Sequence, residues 1–173
     1  MEEDILVIEI SKEVDKLKMS AFSKFKSTDH RHYSEISISN REIENLCDDI
    51  SELLNKANRS GKLDDELLVD LKKTSQLLFD NIFTIEIKDC LRITKAKYLI
   101  LSIDEQLVQI PWELLYDGEQ FISLRFAMGR SVRTKQKFHE VRYRDTISPI
   151  KMLILSDPTG DLKSAYDEGI TIR

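Results

Sequence analysis

The sequence predicts an α/β protein in which antiparallel strands and a helical hairpin lead into the first β–α unit of a sheet that the chain leaves incomplete. Three observations carry this. Short β-rich runs with period-two spacing open the chain. Long apolar stripes at three-and-four spacing follow from residue 40. Two further apolar strand patterns, at 98–103 and 151–156, come later, and the second leads through a Pro- and Gly-bearing loop into a helical pattern.

Residues 5–10 (ILVIEI) are an apolar run short enough to be a strand. From 14 to 25 the apolar positions have a mixed period, and a second strand pairing with the first is expected. Residues 26–31 read as a polar turn, and 33–38 alternate cleanly as a third strand.

Ser39, with Glu42 three residues on, has the pattern of a capping box, in which the serine serves a free N–H of the first turn and the glutamate reaches back. Ile43, Leu46, Cys47, Ile50, Leu53, Leu54 and Ala57 then fall on one helix face, and Gly61 should end the helix. Asp64 is placed to cap a second helix whose face carries Leu67, Leu68, Leu71, Leu78 and Ile82. The short connection makes the two helices neighbours. Residues 83–93 are ambiguous: β-branched content favours strand, but the spacing of Ile87 and Leu91 decides for a short helix.

Residues 98–103 (YLILSI) form a near-continuous apolar strand, as a covered sheet requires. Asp104 and Glu105 turn the chain, and 107–110 are expected as a further strand. Pro111 suits the first position of a helical turn holding Trp112, the sole tryptophan, and Asp117–Gly118 marks a tight turn. Residues 121–126 and 128–132 then read as the strands of a hairpin. The chain is basic from Arg125 to Arg144, and 135–148, poor in large apolar residues, reads as an exposed connector. Its Lys and Arg residues make it a plausible site for proteolytic nicking. A boundary near 95 would separate N-terminal strands and helices (1–95) from an α/β part (96–173).

Of the 173 residues, 41% are apolar and 33% charged, and the apolar ones cluster periodically, which excludes a disordered chain. A net charge of −5 gives no general attraction to nucleic acid or anionic membrane, and the connector carries only Phe138 and Tyr143 for base stacking, so nucleic acid is not an expected partner. No run approaches a membrane span, and the acidic MEED start is unlike a signal peptide. Cys47 and Cys90 lie far apart among helical patterns, which speaks for a reducing compartment. Cytoplasm is the expected location.

Val108, Ile110, Pro111, Trp112, Glu113, Leu114 and Leu115, in the order V-Q-I-P-W-E-L-L, resemble the core motif of CHAT domains, a caspase-like cysteine peptidase family. Two further stretches agree in order and spacing. One is 121–126 with Arg130 and Ser131, similar to that family's hairpin. The other runs from Leu153 through Asp157, Pro158, Gly160, Asp161, Leu162 and Ala165 to Glu168. The resemblance covers roughly residues 80–173. It implies a caspase-like sheet and a His and Cys pair on later strands, so the catalytic dyad is expected outside this chain, on a C-terminal segment or a separate chain. No residue of this sequence is assigned a catalytic role, and the substrate would be a protein. The alternative is a non-catalytic adaptor or regulatory module related to CHAT domains.

Within that frame Asp157 and Asp161 are the substrate-binding candidates. They follow the carboxyl end of a strand, the edge where open α/β sheets bind ligands, and a carboxylate there can receive a basic side chain at the cleavage position. For Asp161 a cap of the following helix is the favoured reading, while for Asp157 the two readings stand level. Pro111, Trp112, Glu113 and Glu168 are read as structural: the indole as an anchor whose N–H finds a carbonyl, Glu113 as a partner of nearby backbone N–H groups or of an arginine such as Arg125 or Arg130, and Glu168 as a helix-surface or interdomain salt-bridge residue. Cys47 and Cys90 read as small core residues. His30, His32 and His139 read as surface groups. His30 and His32 lack the companions of a zinc site, so neither metal nor cofactor is expected.

Overall fold

A computed structural model describes residues 4–23, 32–62 and 64–134. The chain divides into two compact units, Met1–Gln136 and Lys137–Arg173, and all described residues belong to the first. It is a mixed α/β unit with one five-stranded sheet and helices on it.

The apolar run near the N-terminus becomes β1 (Ile5–Glu13), joined by a tight turn to β2 (Lys16–Ser23), with β3 (His32–Ser37) beyond. Both β1/β2 and β2/β3 are antiparallel. Val14, taken at sequence level as strand, sits in the turn instead: the Glu13–Lys16 register leaves Val14 and Asp15 as a two-residue loop. The chain then forms α1 (Asn40–Ser60), α2 (Asp65–Ile82) and α3 (Ile85–Ile93) before re-entering the sheet as β4 (Tyr98–Asp104). β4 lies parallel to β1, and β5 (Ala127–Arg133) lies parallel to β4, giving the order β3-β2-β1-β4-β5. Strands from both sides of residue 95 therefore pair directly in one sheet.

The helix ends follow their local chemistry. Ser39 Oγ accepts from Glu42 N at 3.3 Å, and Gly61 closes α1 in the left-handed region at φ 68°. The Glu42 carboxylate does not close the capping box. It accepts from Asn81 Nδ2 of α2 at 3.3 Å and so links the two helices. Asp64 Oδ1 accepts from Leu67 N at 2.9 Å, and Thr84 Oγ1 accepts from Ile87 N at 3.5 Å, starting α3. The short helix expected at 83–93 is therefore present, capped by a threonine that the apolar spacing did not reveal.

One face of the sheet meets the helices. Leu6, Ile8 and Ile10 of β1, Leu17 and Met19 of β2, and Leu99, Leu101 and Ile103 of β4 share a core with Ile50, Leu78, Ile82, Ile87 and Leu91. α3 packs on β2 and β3, and α1 on α2. β4 buries alternate residues on this face, with Ile100 and Ser102 half-buried on the other.

Among the described residues two expected strands are absent; the strand expected at 151–156 and the helical pattern after it lie outside those residues. Residues 107–110 do not form a strand: Glu105–Leu107 is a 3₁₀ turn, with Val108 N donating to Glu105 O and Ile110 N to Leu107 O. Carbonyls engaged this way leave no ladder, and Leu107 and Ile110 are both drawn inward, at 2% exposure. Residues 121–126 are also not a strand. Ile122–Arg125 is a single helical turn, α4, closed by Phe126 N donating to Ile122 O at 3.0 Å. Ile122 and Phe126, four apart, both enter the core, a helical spacing hidden inside a β-rich composition. With the first strand of the hairpin gone, β5 pairs with β4 in parallel rather than folding back on residues 121–126.

No described helix is long and apolar enough to cross a membrane.

Candidate functional site

Pro111, with φ −78° and ψ 69°, stands just before a 3₁₀ turn, Trp112–Leu114, rather than at the first position of an α-helix. Its carbonyl accepts from Leu114 N at 2.9 Å. The turn drives Trp112 into the core at 0% exposure, where its ring lies 6.1 Å from Phe83 and Nε1 donates to Leu107 O at 2.9 Å. An indole of roughly 200 Å² buried at ~25 cal/mol per Å² contributes up to about 5 kcal/mol. The bond to Leu107 removes the penalty a buried N–H would otherwise carry, and it holds the 3₁₀ turn after β4 against the turn after Pro111.

Glu113 projects the other way. Of the two arginines considered from sequence, Arg130 of β5 is its partner: Nε donates to Oε1 at 2.7 Å and Nη2 bonds Oε2, a forked pair. Nη1 of Arg130 also donates to Val108 O at 3.0 Å. The Arg130 guanidinium holds the Glu113 carboxyl below the usual carboxylate range, chiefly through these hydrogen bonds and against the opposing effect of burial. With the two side chains 26% and 44% exposed, solvent screening limits the pair to about 1 kcal/mol or less. The segment between β4 and β5 is thus fastened by a tryptophan from inside and a glutamate from outside. Arg125 is engaged elsewhere, donating from Nη2 to Arg92 O at 2.9 Å.

The parallel strands β1, β4 and β5 end on a common edge, where sequence reasoning had seen only a turn. Asp104, the last residue of β4, accepts from Lys12 N at 2.9 Å and faces Arg133 Nε of β5 at 3.2 Å. Arg133 Nη2 reaches across β4 to Ile10 O at 2.7 Å, so one side chain ties three strands together. The signal that could have found Asp104 is a carboxylate at the carboxyl end of a parallel strand, where open α/β sheets gather functional groups. Here the groups are spent on each other and on backbone.

Neither cysteine is set up as a nucleophile. Burial, aided by Asp48 and Glu44, pushes the Cys47 thiol up to about 11, and burial with Asp89 raises Cys90. A thiolate at neutral pH needs the opposite environment. Among the described residues no three His, Cys, Asp or Glu side chains gather as a metal site. His32 belongs to β3. His30, His139, Asp157, Asp161 and Glu168 lie outside the described residues, so the structure brings together Pro111, Trp112 and Glu113 but not the two substrate-binding candidates.

No protein-family model and no curated protein matches the chain. Among solved structures, the chain is similar to the crystal structure of the Aquifex aeolicus member of the Ppx/GppA protein family, at 12% identity and TM-score 0.30 over 76% of this chain and 36% of that one. The type II variant of the Aquifex aeolicus Ppx/GppA phosphatase gives 11% identity and TM-score 0.29 over the same shares. This chain therefore spans about a third of those proteins, and likeness at that level carries no argument about fold or function.

Proposed function

We propose that this chain is the N-terminal, scaffold-bearing part of a CHAT-like cysteine endopeptidase working in a reducing, cytoplasmic setting, with its catalytic His and Cys outside the chain. The observation that carries the reading is the ordered motif match from Val108 to Glu168. Two structural features support it. The Pro111–Trp112–Glu113 core is built as a brace between parallel strands β4 and β5. The two cysteines of the chain sit where burial suppresses the thiolate. Asp157 and Asp161 would then receive a basic side chain of a protein substrate, giving cleavage after Lys or Arg.

The test is a reconstitution assay with fluorogenic peptides ending in Arg or Lys. The chain alone should be inert, and adding the polypeptide encoded after Arg173, or a co-purifying chain bearing the His and Cys, should bring cleavage. Cleavage by the isolated chain that survives mutation of both Cys47 and Cys90 would sink the assignment of the dyad. Binding of such a partner without any cleavage would favour the adaptor alternative.

A further inference from the structure

β3 stands last in the sheet order, and among the described residues no strand pairs with its outer edge. An edge strand is a template for further pairing unless something blunts it, such as a proline, a bulge, an unbalanced charge or very short length. β3 has none of these. It carries no proline, and its register with β2 runs unbroken from His32 to Ser37. Its one carboxylate, Glu35, accepts from Lys16 Nζ at 2.7 Å. Against its middle lies an open hollow of about 290 Å³, lined by Lys18, Met19, Tyr33, Ser34 and Glu35.

The same edge is flanked by exposed apolar side chains on both faces of the sheet. Tyr33 is paired with Ser20, between the inward-facing Met19 and Ala21, so it lies on the face away from the helices, 72% exposed. On the helix face Ser34 Oγ accepts from Thr84 Oγ1 at 2.8 Å, which sets the start of α3 beside the centre of β3. Ile85, the first residue of α3, is likewise 72% exposed. A tyrosine and an isoleucine left in water on either side of one bare edge make, with it, a single surface.

Symmetry and charge choose the partner. A second copy pairing antiparallel through β3 is related by a two-fold axis normal to the sheet, so like faces stay together and only residues of equal parity stand opposite. Two positions of that axis, at Ser34 and at Glu35, keep the longest overlap. An axis at Glu35 sets two carboxylates directly opposite, which is unfavourable. An axis at Ser34 overlaps residues 32–36 and sets each Tyr33 opposite Glu35 of the partner subunit, a phenol against a carboxylate. It also brings the two copies of Ile85 to the same face beside the axis. We propose that this chain forms a two-fold dimer in which β3 pairs antiparallel with β3 of a second copy about Ser34. The sheet then continues across the interface, with Tyr33 adding contact on one face and Ile85 on the other. The inference does not rest on the peptidase reading.

Sedimentation equilibrium of the full chain from about 5 to 500 μM should show the mass rise from that of one chain towards that of two. Tyr33→Glu sets carboxylates opposite each other twice per dimer, and should weaken association about tenfold at an unchanged far-ultraviolet spectrum. Adding Glu35→Lys to that variant should restore association. Ile85→Ser, on the other face, should also weaken it and stands alone if the first variant fails to fold. Register is read by cross-linking: a mixture of Tyr33→Cys and Glu35→Cys chains should form disulfide-linked dimers faster than either variant by itself, because only the mixture sets the thiols directly opposite. The mass of one chain throughout, undiminished association in the folded Tyr33→Glu and Ile85→Ser variants, or cross-linking no faster in the mixture would each overturn the proposal.

Discussion

At the scale of single residues, the segment between β4 and β5 depends on side chains whose partners are identified. Glu113 is held ionised by Arg130, so its contribution is present above the ordinary carboxylate range and is lost as pH falls through the depressed folded value. The melting temperature of the wild type should therefore exceed that of Arg130→Gln at neutral pH by an amount worth about 1 kcal/mol or less, and the gap should close as the pH falls below about 4. A gap that persists unchanged into acid would show that the arginine acts through packing alone. Cys47 offers a second check. With its thiol pushed up to about 11 by burial, alkylation by iodoacetamide at pH 8 should be far slower than for a free thiol and should quicken on unfolding in urea. Fast labelling in the folded chain would contradict the environment described here. Trp112 is the residue best read in advance: a sole tryptophan beside proline suggested an anchor with a bonded N–H, and the indole is fully buried on Leu107 O. The bond from Glu113 to Arg130 was legible only as one of two arginines, because which strand Arg130 stands on depends on the pairing of β5.

At the scale of elements, the turn between β1 and β2 carries local strain. Val14 has φ 51° and is 83% exposed, a left-handed conformation that a β-branched residue adopts at a cost. Contacts from outside the turn hold it there: Ile38 N donates to Asp15 O at 2.8 Å, and Asn40 Nδ2 to Val14 O at 3.4 Å. Val14→Asn should raise stability by about 1 kcal/mol, read from the urea midpoint at unchanged slope, because asparagine tolerates this region and nothing packs on the valine. A loss of stability would mean the side chain makes a contact of its own. The long helices were legible because their caps and apolar stripes are local and mutually consistent: Ser39, Gly61 and Asp64 each act within a few residues of the helix end they set. The segments at 107–110 and 121–126 were misread for the opposite reason. Both are β-rich in composition, yet each is only one turn long, and its conformation is fixed by the bonds of Trp112 and by Ile122 and Phe126 entering the core.

At the scale of the molecule, the mixed sheet is held at its carboxyl edge by Arg133, which reaches from β5 over β4 to the Ile10 carbonyl of β1. β5 is mostly exposed along its length, so this clamp should matter for its order. Arg133→Met should speed hydrogen exchange of amides in 127–133 severalfold while leaving β1 and the centre of β4 protected. Uniform slow exchange across all three strands in the variant would show that the ladder itself suffices.

The sequence by itself determined the α/β class, the two long helices and their caps, and the apolar strands β1 and β4, because these depend on periodicity and on groups a few residues apart. The tertiary structure alone decided that β1 and β4 are parallel neighbours, that β5 joins them, and that Asp104 and Arg133 meet. Such pairings bring together residues tens of positions apart, and many partners with the same apolar pattern would satisfy each strand equally well. Only the helices filling one face and the side chains bridging the edge select this one.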